Sequence, residues 1–303
     1  MAIETNYSVE EFVEKFNFDK CVFDLLKSIE QDNQKIKNIV IHKYQGNVIS
    51  ESEEEDVLNY FINNSVFSAA TVANPATSVV TEFLYARPKQ LHFIDQYFFE
   101  SKGGKAINSR LARVEENIFE LIETIQKTKK GKIMIANLGG GLNRDICNVL
   151  SNHYQGNENI QVISVDKDKM AIKRGKRITK TAKIENQIEF IQNSFTRYRP
   201  KKKFDLIILV GILCGLPPEV CIKILKNTRK FLNKGGYIMT SNVAPEMLEK
   251  DPFTYFIMDK ITGWELIFKS EKTLQEIIKK SGFKWQRSFT DDFGFHIMPI
   301  GLK

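Results

Sequence analysis

From residue 132 onward, short apolar runs alternate with stretches whose apolar positions recur every three or four residues. The runs are 133–138, 161–165, 188–192, 204–210 and 236–240, and helical stretches at 144–153, 169–179 and 218–232 follow the first, second and fourth. Runs that are apolar throughout predict strands covered on both faces, and intervening helices predict parallel crossover connections. The expected fold is a doubly wound, mostly parallel α/β sheet. The tail differs: 273–280 predicts a helix closed by Ser281-Gly282, and the runs 283–289 and 295–300 flank an Asp291-Asp292 turn. That pattern predicts a C-terminal hairpin, hence an antiparallel pair at one sheet edge.

Upstream, residues 1–105 read as mostly helical. Stretches 9–16 and 22–29 carry helical spacing, and the acidic run 51–56 sits before 57–61, where negative charge suits a helix N-terminus. Segment 39–44 fits either a short strand or an apolar helix turn, and Asn74-Pro75 and Arg87-Pro88 are breakers. Ile107, Leu111, Val114, Ile118, Leu121 and Ile125 form one helical stripe that ends in a Lys-rich turn at Gly131. The strand–helix pattern has no second copy. The expected division is a helical N-terminal cap over 1–105 and an α/β domain over 106–303.

Composition keeps this picture and narrows it. With 42% hydrophobic and 27% charged among 303 residues, the chain is ordinary globular material. The net charge of +7 is spread among acidic runs, which fits a solvated surface, although Arg197, Arg199 and Lys201 to Lys203 would suit an RNA partner. Cys21, Cys147, Cys214 and Cys221 form no CxxC pair, and no His cluster has ligand spacing, so no metal site is expected. The first residues lack a signal peptide's basic and apolar regions, and the longest apolar run, 204–216, is too short for a bilayer and carries Asp205. A cytoplasmic protein with reduced thiols and no membrane partner is the expectation.

Candidate chemistry gathers at the carboxyl ends of the predicted strands. Asn137-Leu138-Gly139-Gly140-Gly141-Leu142-Asn143 follows the first strand and precedes a helix, where glycines permit a sharp turn and close approach of a ligand. By itself such a loop is also a common tight turn. Asp166 ends the second strand and can accept bonds from both hydroxyls of a ribose. Asn193-Ser194 ends the third, where an amide can read an adenine edge. Together the three favour a nucleoside ligand over separate turn and cap roles.

The series NLGGGLN, VISVDKD, IEFIQNS, FDLIILVGIL and FLNKGGYIM resembles the class I S-adenosylmethionine (SAM)-dependent methyltransferases over about residues 105–303. The resemblance implies a Rossmann-like sheet of seven strands with the last inserted antiparallel. It implies SAM as cofactor, with Gly139, Gly140 and Gly141 facing its methionine part and Asp166 with Lys167 at the ribose. Asn193 and Ser194 would lie at the adenine, and Val210, Gly211 and Ile212 along the wall near the sulfonium. Two positions depart from the family pattern: Asn137 stands where an acid is usual, and Asn143 where the last glycine is usual. The stretch between Asn193 and Phe204 is too short for the usual helix.

For the acceptor side, Leu216-Pro217-Pro218-Glu219 lacks the polar first and aromatic last residues of the box used in amino methylation of nucleic-acid bases, which disfavours a nucleic-acid substrate. Segment 243–270 is rich in bulky groups (Phe253, Tyr255, Phe256, Met258, Trp264, Phe268), and Gly263-Trp264-Glu265-Leu266 looks like a substrate lid of small-molecule methyltransferases. Tyr85, Tyr97, Arg110, Cys214, Tyr255 and Trp264 are the candidate acceptor contacts. His92, Asp95 and Tyr97 are candidate proton acceptors, while a carboxylate acceptor would need only neutralisation by Arg110 or Arg87. The expected activity is O- or N-methylation of a small molecule. Alternatives are transfer or cyclisation of the aminocarboxypropyl group of SAM, as in nicotianamine synthase-like enzymes, an RNA or protein methyltransferase, and a non-catalytic SAM-binding subunit.

Overall fold

The computed structural model describes residues 7–74 and 78–303. Pro75 of the first breaker and the first six residues lie outside that range. The chain forms two compact units, Met1–Lys105 with Leu248–Glu265, and Ala106–Met247 with Leu266–Lys303. Residues 248–265, grouped from the sequence with the α/β domain, thus cluster with the N-terminal helices.

The first unit is built from α1 (Val9–Lys15), α2 (Lys20–Asp32), α3 (Gln34–Tyr44), α4 (Glu51–Asn64), α5 (Val66–Ala73), α6 (Ser78–Ala86) and α7 (Phe93–Glu100). Ser8 with Glu11 and Ser50 with Glu53 form capping boxes at α1 and α4, so the acidic run 51–56 does begin a helix. The ambiguous segment 39–44 is helical. Asn33 caps α3 by accepting from the Ile36 N–H, and Ile39, Val40 and Ile41 are all buried. Tertiary burial here outweighs the strand preference of β-branched residues. Phe12, Phe16, Phe18 and Tyr44 pack edge-on and tilted against Phe253, Phe256 or one another at centroid separations of 5.0 to 6.5 Å, which makes the bulky groups of 253–256 core material of this unit.

The second unit opens within α8 (Lys102–Thr128), at Ala106, and continues through β1 (Ile133–Leu138), α9 (Arg144–His153), β2 (Ile160–Asp166), α10 (Lys169–Thr181), β3 (Ile188–Gln192), β4 (Phe204–Leu209), α11 (Pro218–Arg229), β5 (Leu232–Thr240) and β6 (Asn242–Val243). After α12 (Glu246–Lys250), and α13 (Pro252–Phe256) of the first unit, come α14 (Glu271–Lys280), β7 (Lys284–Thr290) and β8 (His296–Leu302). The sheet order is β3-β2-β1-β4-β5-β8, with β6 and β7 both paired to β8. The first five strands run parallel, and β8 is antiparallel to β5, β6 and β7. The expected architecture holds, with eight strands instead of seven because the two-residue β6 continues the line of β5 beyond Ser241. Between β3 and β4 there is no helix, only a turn. The predicted helix 218–232 stops at Arg229, because Leu232 already pairs with Phe204 as the first residue of β5.

Alternation along the strands divides the core into two layers. Ile133, Ile135, Leu206 and Ile208 pack with Val114, Ile118, Ile146 and Leu150 from α8 and α9. Ala136, Leu138, Ile207 and Leu209 pack with Leu225, Leu274 and Ile278 from α11 and α14. The buried Asp205 within β4 is matched by Lys129 Nζ at 2.6 Å, the Met134 N–H at 2.8 Å and Asn233 Nδ2 at 2.8 Å. The strand order reverses at β1, which opens a crevice at the carboxyl ends of β1 and β4, where doubly wound sheets bind ligands.

Candidate active site

The loop after β1 turns by left-handed backbone at alternate residues: φ is +67° at Gly139, +54° at Gly141 and +59° at Asn143. Glycine takes these angles without strain, whereas Asn143 tolerates them through local bonds. Its N–H donates to Gly140 O at 2.7 Å and its Nδ2 to Gly141 O at 3.1 Å. The departure from the usual glycine at 143 is therefore accommodated inside the loop. Asn137 is buried, and its Nδ2 donates to Asn143 Oδ1 at 3.0 Å and Asp145 Oδ1 at 3.3 Å. The carboxylate absent from position 137 is thus present beside it, on the first turn of α9. Burial pushes the Asp145 carboxyl upward, against its bonds to the Ile146 N–H and Asn137 and the charge of Arg110. Sequence reasoning missed Asp145 because an acid in a first helical turn reads as a partner of the helix dipole.

Asp166 ends β2 as expected and faces this loop. Its Oδ2 accepts from the Gly141 N–H at 2.8 Å and its Oδ1 from the Asp168 N–H at 2.8 Å. Each oxygen retains a lone pair, so the carboxylate is oriented without being consumed. The Asn193 N–H donates to Asp166 O at 2.9 Å, which sets the end of β3 beside that of β2, and the Ser194 hydroxyl pairs with Thr196 at 2.8 Å. Lys167 is exposed on the way into α10. At the end of β4, Gly211 has φ +76°, and its N–H is held by Ser241 Oγ at 2.8 Å. A Cβ built on Gly211 would meet nothing within 4 Å, whereas one on Gly139 would stand 2.5 Å from Ile212 Cδ1. Val210, Gly211 and Ile212 therefore follow β4 into the same crevice as the glycine loop.

Arg110, on α8, ties this region together electrostatically. Its charge acts on Asp145, on the Cys214 thiol and on His296. Cys214 lies in the turn after β4 with its sulfur 3.7 Å from Gly211 O, and burial pushes that thiol's pKa up, so it is not a ready nucleophile. His296, the first residue of β8, was not singled out from the sequence. Because β8 is antiparallel, its first residue lies at the carboxyl ends of the parallel strands, paired with Val243 of β6.

The remaining predicted residues belong to the helical unit. Asp95 is buried and caps α5: it accepts from Ser65 Oγ at 2.7 Å and from the N–H groups of Val66 and Phe67 at 3.1 and 3.0 Å. Tyr97 is buried with its hydroxyl on Thr254 Oγ1 at 2.7 Å, and burial drives its pKa upward. His92 is the N-cap of α7. These three hold helices in place through those bonds. Arg87 pairs with Glu100, Tyr255 donates to Asp259 at 3.2 Å, and Trp264 is buried with its backbone N–H on Met258 O, while Tyr85 is half-buried on α6.

Residues 117–290 match the family described as a methyltransferase domain, over half of the chain. No curated protein matches. Among solved structures, a possible exported protein from Bordetella parapertussis is similar at TM-score 0.69 and 16% identity, covering 94% of this chain and 97% of its own. Magnesium protoporphyrin IX methyltransferase from Synechocystis PCC 6803 with bound S-adenosylhomocysteine (SAH) is similar at TM-score 0.54 and 12% identity, over 78% of this chain and 99% of its own. With SAM bound, the same enzyme gives 0.52 and 13%, over 85% and 99%. At such identities the solved structures establish the fold. With the family match and the motif series in place at the strand ends, the chain belongs to the methyltransferase-domain family and is a class I SAM-dependent methyltransferase.

Proposed function

We propose that this enzyme binds SAM along the 137–143 loop, Asp166 and Asn193, and transfers its methyl group to a small-molecule acceptor. The observation that carries the reading is the joining of loop and strand end: the left-handed Gly141 gives its N–H to Asp166, to which we assign the ribose. The crevice also fits the donor. Gly211 leaves open space where a side chain would stand, and Asn137 Oδ1 accepts no bond from the described residues, so an acceptor awaits an ammonium next to Asp145. When bound, SAM supplies a methyl group already activated by its sulfonium. The protein's own residues then have to align a nucleophile and exclude water.

The helical unit contributes none of the proposed SAM contacts. Asp166→Ala removes a ribose partner and also frees the Gly141 N–H, so SAH affinity should fall by about 1–3 kcal/mol, the range for charge-assisted bonds. Unchanged affinity in calorimetry would remove Asp166 from the site. The acceptor question is tested by incubating the chain with SAM and a small-metabolite fraction of a cell extract. Production of SAH supports methyl transfer, whereas methylthioadenosine would mean transfer of the aminocarboxypropyl arm.

A further inference from the structure

The turn before β8 contains a buried acid–imidazole pair. Asp291 Oδ2 lies 3.0 Å from His296 Nδ1 and also accepts the His296 N–H, while Oδ1 accepts the Phe293 N–H at 2.8 Å. The Asp291 side chain is fully enclosed and that of His296 is 7% exposed. The ring is therefore fixed in orientation, with Nδ1 toward the carboxylate. Its other nitrogen, Nε2, makes no hydrogen bond among the described residues. The pair stands at the carboxyl ends of the strands: Val243 opposite His296 follows Ser241, which holds Gly211, and the Phe295 carbonyl accepts the Ala244 N–H at 2.8 Å.

We propose that His296 is the general base of the methyl transfer, positioned by Asp291, and that it takes the proton of an acceptor hydroxyl. This rests on the methyltransferase reading and deepens it. The acceptor oxygen bonds to the donor methyl carbon, and the carbon–sulfur bond breaks with its electron pair left on sulfur, giving neutral SAH. The hydroxyl proton passes to His296 Nε2 and later to solvent. Asp291 stabilises the imidazolium without taking the proton. Its own carboxyl is pushed up by burial, but the bonds from His296 and the two backbone N–H groups outweigh this and hold it below the ordinary value. The ionisable groups bearing on the ring are Asp291 and, from α8, Arg110. Burial and the Arg110 charge lower the imidazole's pKa from 6.5, and Asp291 opposes them. A phenol, with a pKa of about 10, is a suitable probe because its proton must still be removed at neutral pH, whereas a more acidic phenol arrives ionised.

Two readouts test the proposal. In the full chain labelled with 15N-histidine, only four histidines contribute, and His296→Gln identifies the ring in question. Above pH 6.5 the ring should carry its proton on Nδ1 and none on Nε2, and should take up a second proton only as pH falls through the lowered value. A proton on Nε2, or a charged ring above that pH, overturns the proposal. In the second readout, methyl-labelled SAM is offered with phenol or 4-nitrophenol. His296→Gln should lower kcat on phenol ~10²–10⁴-fold, lower it far less on the already ionised 4-nitrophenol, and leave SAH affinity unchanged. Asp291→Asn should displace the acid limb of the phenol pH profile. Equal losses on both probes or no loss on phenol overturns the assignment, and where a wild-type chain binds SAH but methylates neither probe the protonation state of the ring decides it. A wild-type chain that binds no SAH contradicts the methyltransferase reading itself.

Discussion

Replacing Gly139 with valine is expected to abolish SAH binding while leaving the chain folded. The residue sits at φ +67°, and a Cβ there would lie 2.5 Å from Ile212 Cδ1. A β-branched residue is strained at that angle by ~1–3 kcal/mol. Relief by moving the loop would carry off the Gly139 N–H bond to Val165 O, 2.8 Å long, and the neighbouring Gly141 contact to Asp166. Affinity should fall more than ~100-fold, or ~2.8 kcal/mol. The control is Gly46→Val, at φ +81° in the helical unit with nothing within 4 Å of its Cβ. It carries the same kind of backbone strain without touching the site, so its SAH affinity should match the wild type. Calorimetry and circular dichroism on both variants separate a lost site from a lost fold, and normal binding by Gly139→Val would reduce the loop to a turn.

Lys269→Met is expected to destabilise the α/β unit strongly. The ammonium is buried and donates to Leu213 O and Asn242 Oδ1, each at 3.0 Å, and to Ile267 O at 3.1 Å. It joins the turn after β4, the strand β6 and the segment before α14, with no carboxylate among these partners. Burial lowers its pKa, partly offset by Cys221 and Cys214. Methionine fills most of the volume but strands three acceptors, at ~1–3 kcal/mol for each left unmet. Urea unfolding should register a loss of roughly 3 kcal/mol or more, and a loss below ~1 kcal/mol would mean that water replaces the ammonium.

The strands were legible because a doubly covered parallel sheet leaves an unbroken apolar signature: β1, β3 and α9 begin and end where the pattern says. The motif positions were legible for a related reason. A left-handed loop needs glycine or asparagine, and the residue ending a parallel strand faces the crevice. The acceptor side was much harder to read. Bulky residues at 253–264 look alike whether they line a pocket or fill a core, and Phe253, Phe256 and Trp264 are buried in the helical unit. His92 and Asp95 share a helix and attract notice, yet one caps that helix and the other caps α5. Asp145 and His296 acquire meaning only through chain reversal. The first lies beside Asn137 across the loop, and the second reaches the strand ends because β8 runs backward.

The account's central claim is that the crevice at the β1, β2 and β4 ends is a SAM site. Titrating SAH calorimetrically into the full-length chain tests it most directly. The account predicts saturable binding with an affinity in the ~1 μM–1 mM range, greatly weakened in Asp166→Ala and absent in Gly139→Val. A folded wild-type chain that binds neither SAH nor SAM, or binds them equally well in all three forms, would contradict it.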